Sequence, residues 1–417
     1  MTYVEFFDKT SVENIATCLT DVPERLVFIG GDRKTMMRYA ENYKKIFKSR
    51  GHEVEFILKT TSKNNLENAI RLIEEIVGEY DDCVFDITGG EEILSLALGV
   101  VYSRHPHIQI HRFNIQNNVI ADCDKDGNTV FKDFPALSVD ENIKIYGGDI
   151  SYGTVDEEET YEWELTSEFL RDVDRIWDIC KNNVGRWNLQ MSILGSVEEN
   201  GVCSKDSLTT VVYKDVLERH LRAHGTEYSV MWKIVNDLIK QGLITNFEDN
   251  EKTLTVSYKN AQVKRCLTKA GQALEMKIYV TAKGVLGNDG NPVYNDALNG
   301  VVIDWDGDFH DEKREKTYDT ENEIDVMLMR GVTPVFVSCK NGAVTTEELY
   351  KLNSVAERFG GKYAKKVLVA TTLGKKGGEA LEYFRQRADD MKIKLIENVH
   401  MMTEAELAKE VRNFLNP

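Results

Sequence analysis

The sequence predicts an α/β protein in three parts: a doubly wound parallel sheet over residues 1–150, a helical, winged-helix-like segment over 151–265, and a second α/β domain over 266–417. Three observations carry this reading. Up to about residue 150 short apolar runs alternate with helical patterns, as βαβ units do when they build a parallel sheet. The middle is helical and closes on two alternating runs joined by a polar turn. Beyond Leu267 strands and helices alternate again. At 417 residues the chain exceeds the size at which one core stops growing, so two or three domains are expected.

In the first part the strand runs are Val4–Phe7, Arg25–Gly30, Glu53–Leu58, Cys83–Ile87 and Gln109–Asn114, with helical patterns at Thr35–Ser49, Asn65–Glu79 and Glu91–Ser103. Asn118–Cys123, Asn128–Lys132 and Lys144–Tyr146 read as further strands, antiparallel at the sheet edge. Val155 to Glu159 is an acidic run without apolar periodicity and reads as a linker. In the middle part, Phe169–Asn182 and Tyr228–Gln241 place apolar residues at helical spacing, and Gly242 stops the second. Thr245–Phe247 and Leu254–Tyr258 then alternate on either side of Glu248–Glu251, which makes a two-stranded wing. The third part opens with a helix over Thr268–Ala282, Thr268 being its expected N-cap. Strands follow at Gly300–Trp305, Glu323–Met329, Val335–Ser338, Lys366–Thr371 and Lys394–Glu397, with helices at Thr346–Phe359 and Glu379–Met391.

Composition bounds the function. A hydrophobic fraction of 42% and a charged fraction of 29% suit a soluble globular chain, and no apolar run approaches the roughly 20 residues of a membrane span. The N-terminus lacks a basic segment followed by an apolar core, which argues against secretion. The seven cysteines are scattered without a CxxC pair, so reduced cytoplasmic thiols are expected rather than a disulfide framework or a zinc cage. A net charge of −17 opposes non-specific coating of a polyanion. The same acidic excess supplies ligands for hard divalent cations.

Two regions carry chemistry. Ile324, Val326 and Leu328 alternate with Asp325 and Met327, and Val335 to Lys340 follows after a short turn, so a hairpin sets Asp325 and Lys340 on neighbouring strands. An acid that holds a divalent metal beside a lysine that stabilises developing charge suits phosphodiester cleavage. In an open parallel sheet, ligands bind beyond the carboxyl ends of the strands where strand order reverses. There the first strand runs into Asp8-Lys9-Thr10-Ser11, the second into Gly30-Gly31-Asp32 and the fourth into Asp86-Ile87-Thr88-Gly89-Gly90-Glu91. The glycines let backbone N–H groups approach a phosphate at a helix N-terminus. Neither GxGxxG nor GxxxxGK[ST] occurs, so neither a dinucleotide nor a P-loop triphosphate is indicated.

Val4-Glu5-Phe6-Phe7-Asp8-Lys9-Thr10, Val27 to Asp32 and Phe85 to Gly90 resemble the CRISPR-associated Rossmann-fold (CARF) sensor domain. Asn322 to Val326 with Ser338 to Gly342, and Leu349 to Leu352 with Arg358 to Tyr363, resemble the PD-(D/E)xK restriction-endonuclease-like domain joined to such sensors in type III CRISPR ancillary nucleases. The resemblance implies a homodimer that holds one cyclic tetra-adenylate between its sensors. It implies a Mn²⁺- or Mg²⁺-dependent endonuclease acting on DNA, with RNA as a further substrate class, in antiviral defence. The helical acid of the motif falls on Glu275, the strand acid on Asp325 and the lysine on Lys340. Ser338 stands where the motif has Glu or Asp, so Asp325, the Cys339 carbonyl and water are left to the metal, with Glu275 or Glu323 in support. The competing expectation is a ligand-responsive winged-helix transcription regulator whose nuclease domain is degenerate. A DNA reader needs Arg, Lys, Asn or Gln on one helix face; Tyr228–Gln241 offers Lys233, Asn236 and Lys240 but no arginine.

Overall fold

The structure is a computed structural model that describes residues 1–415 apart from 63, 116, 118, 124–128, 132–134, 153–158, 308–320 and 375–377. The expected acidic linker from Val155 to Glu158, and positions 118, 128 and 132 of the expected edge strands, lie outside the described residues.

The first sheet holds β1 (Thr2–Phe6), β2 (Arg25–Gly30), β3 (Glu55–Thr60), β4 (Cys83–Asp86), β5 (Gln109–Asn114), β6 (Val119–Cys123) and β7 (Thr129–Phe131) in the order β3-β2-β1-β4-β5-β6-β7. The first five strands run parallel and the last two antiparallel. Both faces are covered, which is why the strands read as nearly continuous apolar runs. Val4, Phe6, Val27 and Ile29 pack against α2 (Leu66–Glu79) and α3 (Glu92–Arg104), while Tyr3, Leu26 and Phe28 pack against α1 (Arg33–Ser49). Strand order reverses between β1 and β4, at the expected crevice.

Lys144–Tyr146 is not a strand. It falls at the end of α4 (Val139–Ile145), which a capping box starts: Ser138 Oγ accepts from Glu141 N–H and the Glu141 carboxylate accepts from Ser138 N–H. That S-x-x-E signal outweighs the β-propensity of Ile143, Ile145 and Tyr146.

The middle segment contains α5 (Ser167–Lys181), α6 (Val184–Asn200), β9 (Val202–Cys203), β10 (Thr209–Tyr213), α7 (Lys214–Ala223), α8 (Trp232–Lys240), β11 (Ile244–Asp249), β12 (Thr253–Tyr258) and α9 (Ala261–Thr268). From α6 onward the order helix, strand, helix, helix, hairpin is that of a winged helix, with β10 completing the wing sheet beside β12. Thr268 is the last residue of α9 rather than an N-cap, and its hydroxyl donates to the Lys264 carbonyl at 3.0 Å. The chain breaks at Lys269–Gly271 before α10 (Gln272–Gly284), with Gly271 in the cap position.

The third sheet joins β8 (Asp149–Ile150) to β13 (Asp296–Asp304), β14 (Glu321–Arg330), β15 (Thr333–Lys340), β16 (Lys365–Ala370) and β17 (Ile393–Ile396), in the order β17-β16-β15-β14-β13-β8. Around it lie α11 (Thr346–Gly360), α12 (Gly378–Asp390) and α13 (Glu404–Arg412). The hairpin forms as expected, with Val326 opposite Val337 and Leu328 opposite Val335. Among the described residues no helix is long and apolar enough to cross a membrane.

The first and third parts share a packed joint. Ile143 and Ile145 of α4 belong to one apolar cluster with Ile303, Phe336 and Phe359. Asn142 donates to the Phe359 carbonyl at 2.7 Å, and Arg50 grips Glu141 through two nitrogens at 2.6 and 2.7 Å. The first part and α11 are thereby held together by side chains in direct contact.

Candidate active site and ligand crevice

The β14–β15 hairpin brings Asp325, Ser338, Cys339 and Lys340 together. Asp325 Oδ2 accepts from Cys339 N–H at 2.6 Å, from Ser338 Oγ at 3.2 Å and from Lys340 Nζ at 3.4 Å. All three donors meet one oxygen. Burial raises the Asp325 carboxyl above its ordinary range, partly offset by Lys340 and the Cys339 N–H. The Cys339 thiol is buried, so its part here is through the backbone.

Lys340 Nζ also lies 3.2 Å from Glu348 Oε2 in the first turn of α11. Burial works to lower the ammonium's pKa, yet Asp325 and Glu348 hold it above the ordinary lysine value. The side chain is therefore a fixed cation rather than a base.

Glu275, on the first turn of α10, is 5% exposed. Burial, and next the charge of Asp325, push its carboxyl well above the usual range. Its Oε2 is buried with no hydrogen-bond partner among the described residues. Its Oε1 sits over Gly271, only 2.5 Å from where a Cβ would stand, so that glycine makes room for the acid. Glu323 is more exposed and pairs with Lys269. A cleft of about 280 Å³ opens between the hairpin and α11, lined by Asn322, Glu323, Asp325, Ser338, Lys340, Glu348 and Lys351 among others.

Among the described residues no group of three or more His, Cys, Asp or Glu is drawn together tightly enough to hold a metal ion. The site instead shows a buried carboxyl, Glu275, with one orphaned oxygen, and the half-buried Asp325 whose charge raises it. Such an oxygen set fits a hard divalent cation, which would supply the missing charge.

At the crevice, the turns after β1 and β4 meet. Asp8 Oδ1 accepts from Thr10 N–H at 2.7 Å and its Oδ2 from Gly90 N–H at 3.4 Å. Burial would raise the Asp8 carboxyl, but these donors hold it below its ordinary value. The anion on the Gly90 amide is thus Asp8 itself. Thr88 Oγ1 accepts from Phe113 N–H at 2.7 Å, which leaves its own proton to donate. Lys9 is exposed, whereas Ser11 is fully buried beneath the turn. Gly30 packs on Phe7 and Met36, and the Asp32 carboxylate is spent capping α1 through Lys34 N–H and Thr35 Oγ1. Glu91 stands at the N-cap of α3 without a side-chain cap. Beside Gly31 is a shallow depression of about 540 Å³ with Thr60, Thr61, Ser62, Asn68 and Arg71 on its wall. The sequence reading missed these residues; the polar Thr60-Thr61-Ser62 run at the end of β3 was their signal.

Gly90 is glycine for a reason other than ligand approach. Its φ is +91°, and a Cβ there would collide with the Phe6 Cβ and lie 2.9 Å from the Phe6 carbonyl oxygen. Gly90→Ala is expected to destabilise the protein by about 1–3 kcal/mol through backbone strain and crowding, measured by urea unfolding.

A contact between the two ends of the chain adjoins this crevice. Glu13, 4% exposed and beside Asp8 and Gly89, bonds the Tyr363 hydroxyl and pairs with Lys362 Nζ at 2.9 Å. Tyr363 follows directly on α11, the helix that carries Glu348.

No protein-family model matches the chain, and no curated protein matches its sequence. Two solved structures are similar over its whole length. Protein VC1899 from Vibrio cholerae superposes with a TM-score of 0.71 at 15% identity, covering 99% of this chain and 97% of that one. Can2 from Sulfobacillus thermosulfidooxidans, in complex with cyclic tetra-adenylate, superposes at 0.65 with 16% identity, covering 100% and 99%. At these identities the likeness is one of fold. It extends over all three parts of the chain.

Proposed function

We propose that the protein is a homodimeric, metal-dependent endonuclease switched on by cyclic tetra-adenylate, cutting DNA and extending to RNA in type III CRISPR defence. The observation that carries this reading is the meeting of Asp325 and Lys340 in one polar cleft, with the orphaned Glu275 carboxyl near enough for the Asp325 charge to raise it. The whole-chain likeness to a cyclic tetra-adenylate complex supports the choice of activator. Asp325, Glu275 and the Cys339 carbonyl would hold Mn²⁺ or Mg²⁺, which when bound polarises the scissile phosphate. Lys340, kept protonated by its carboxylate neighbours, neutralises charge that builds on the phosphate oxygens. Ser338 and the Cys339 N–H fix the Asp325 oxygen that faces Lys340.

The crevice would take the ring through the Thr88 hydroxyl and the N–H groups of Thr10 and Gly90, which a phosphate would compete for with Asp8. Displacement of Asp8 reaches Glu13 and, through Tyr363 and Lys362, the far end of α11. Glu13→Gln keeps the shape but removes the charge that pairs with Lys362. It is expected to leave ring affinity within about threefold and to change the ratio of activated to basal cleavage by about tenfold, a coupling of roughly 1.4 kcal/mol. Equal ratios in variant and wild type would show that this contact transmits nothing.

Calorimetric titration tests the reading. One ring should bind per two chains, because a two-fold symmetric ligand sits across a two-fold axis. Thr88→Ala should weaken binding. One ring per chain, or no binding, would contradict the gated dimer.

A further inference from the structure

We propose that Asn188, on α6 of the winged-helix segment, positions Lys340 for cleavage by clamping the residue that follows it, Asn341; this rests on the nuclease reading above. Lys340 stands at a strand end that is braced along one edge. The β14–β15 register stops at Val326 opposite Val337, and beyond it Ser338, Cys339 and Lys340 pair, among the described residues, with β16 alone, opposite Leu368, Val369 and Ala370. On the β14 side Cys339 N–H donates to the Asp325 carboxylate instead of to a backbone carbonyl. A lysine that must meet a phosphate within a fraction of an ångström needs further support for its backbone.

Strand alternation decides where that support comes from. Phe336 belongs to one apolar cluster with Leu349 and Phe359 of α11, whereas Val337 and Cys339 pack with Trp187 and Met191 of α6. By the two-residue period of a strand, Lys340 is directed to the α11 side and Asn341 to the α6 side. Asn341, 5% exposed, meets Asn188 there in a reciprocal pair. Its Nδ2 donates to Asn188 Oδ1 at 2.9 Å, and Asn188 Nδ2 donates back to the Asn341 carbonyl. Thr371, which follows β16, completes the clamp: its N–H donates to the Lys340 carbonyl at 3.0 Å and its hydroxyl to Asn341 Oδ1 at 3.1 Å. The carbonyls of Lys340 and Asn341 are thus both held, one from the third sheet and one from the winged-helix segment. Gly342 follows with φ +137°, a conformation suited to glycine, and the chain turns toward α11, where Glu348 pairs with Lys340 Nζ. Without Asn188, the Asn341 amide keeps the weak Cys180 Sγ acceptor at 3.5 Å, and the carbonyl after Lys340 is released.

The test is single-turnover cleavage of labelled DNA by the full chain, with Mn²⁺ and cyclic tetra-adenylate present. Asn188→Ala is expected to lower the maximal rate about tenfold, while the protein concentration at half-maximal rate and the ring affinity stay within about twofold. Asn188→Asp keeps the size of the side chain and the acceptor for Asn341 Nδ2 but sets a carboxylate oxygen against the Asn341 carbonyl. It should lose as much, and it replaces the alanine variant if urea unfolding shows that one to be unfolded. The decisive comparison makes the same change in Lys340→Ala. A residue that acts through Lys340 costs less than about twofold in that background, whereas one that only supports the fold costs about tenfold in both. Equal losses in the two backgrounds, or no loss beside an intact Lys340, would overturn the role of Asn188 and leave the nuclease reading standing. A higher half-maximal concentration at an unchanged rate would make Asn188 a substrate-binding residue and overturn it equally. If Lys340→Ala itself cuts at close to the wild-type rate, it is the nuclease reading of the hairpin that fails.

Discussion

Asp325→Asn or Lys340→Ala is expected to lower the cleavage rate at least about 100-fold while the affinity for cyclic tetra-adenylate stays at the wild-type value. Removal of a preorganised group that stabilises transition-state charge costs on the order of 10²–10³ in rate. The crevice proposed to take the ring lies at the carboxyl ends of β1 and β4, in a different sheet from the β14–β15 hairpin, so ring binding would report that the fold persists. Asp325 is expected to be the more damaging site, because its Oδ2 organises Ser338, Cys339 N–H and Lys340 at once. Single-turnover cleavage of a labelled duplex, set beside calorimetry of the ring, separates the two effects. Cleavage by either variant at close to the wild-type rate would remove the hairpin from the chemistry.

Glu275→Gln is expected to abolish cleavage and to stabilise the metal-free protein. The Glu275 carboxyl is raised well above its ordinary 4.5 by burial first and Asp325 second. A carboxyl with a raised folded-state pKa binds its proton more tightly in the native state. Its stabilising contribution is therefore complete below about 4.5, the ordinary value, and is lost as pH rises through the raised value. Glutamine mimics the protonated form at every pH. At pH 7 and without metal, the variant should gain about 1–3 kcal/mol in urea unfolding, because the amide carries no buried charge to be repelled by Asp325. Mn²⁺ should then raise the stability of the wild type and leave the variant nearly unchanged. A variant less stable than wild type at neutral pH would show that Glu275 is already neutralised by its surroundings.

Periodicity made the sheets legible. The βαβ alternation placed the first five strands, and the Ile324-Val326-Leu328 alternation set Asp325 and Lys340 on neighbouring strands of a hairpin. What periodicity could not show was the helix α6, whose glycines weaken a helical reading. Gly195 is there for packing: a Cβ would stand 2.5 Å from the Thr268 carbonyl oxygen at the end of α9. Thr268 looked like a helix start because threonine often caps helices, but its hydroxyl turns back to the Lys264 carbonyl and it ends α9. Contacts set by tertiary packing were equally invisible. Glu348 and Lys340 meet only once α11 lies against β15, and Glu13 and Tyr363 are 350 residues apart. Gly90 was legible as a required glycine but not for its cause, because the Phe6 backbone that crowds it belongs to another strand.

The most direct test of a ligand-gated nuclease is the single-turnover cleavage rate of labelled DNA in Mn²⁺, with and without saturating cyclic tetra-adenylate. The proposed gating predicts a rate at least tenfold higher with the ring, and no cleavage in either case once the metal is chelated. Equal rates with and without the ring, or cleavage that survives chelation, would contradict it.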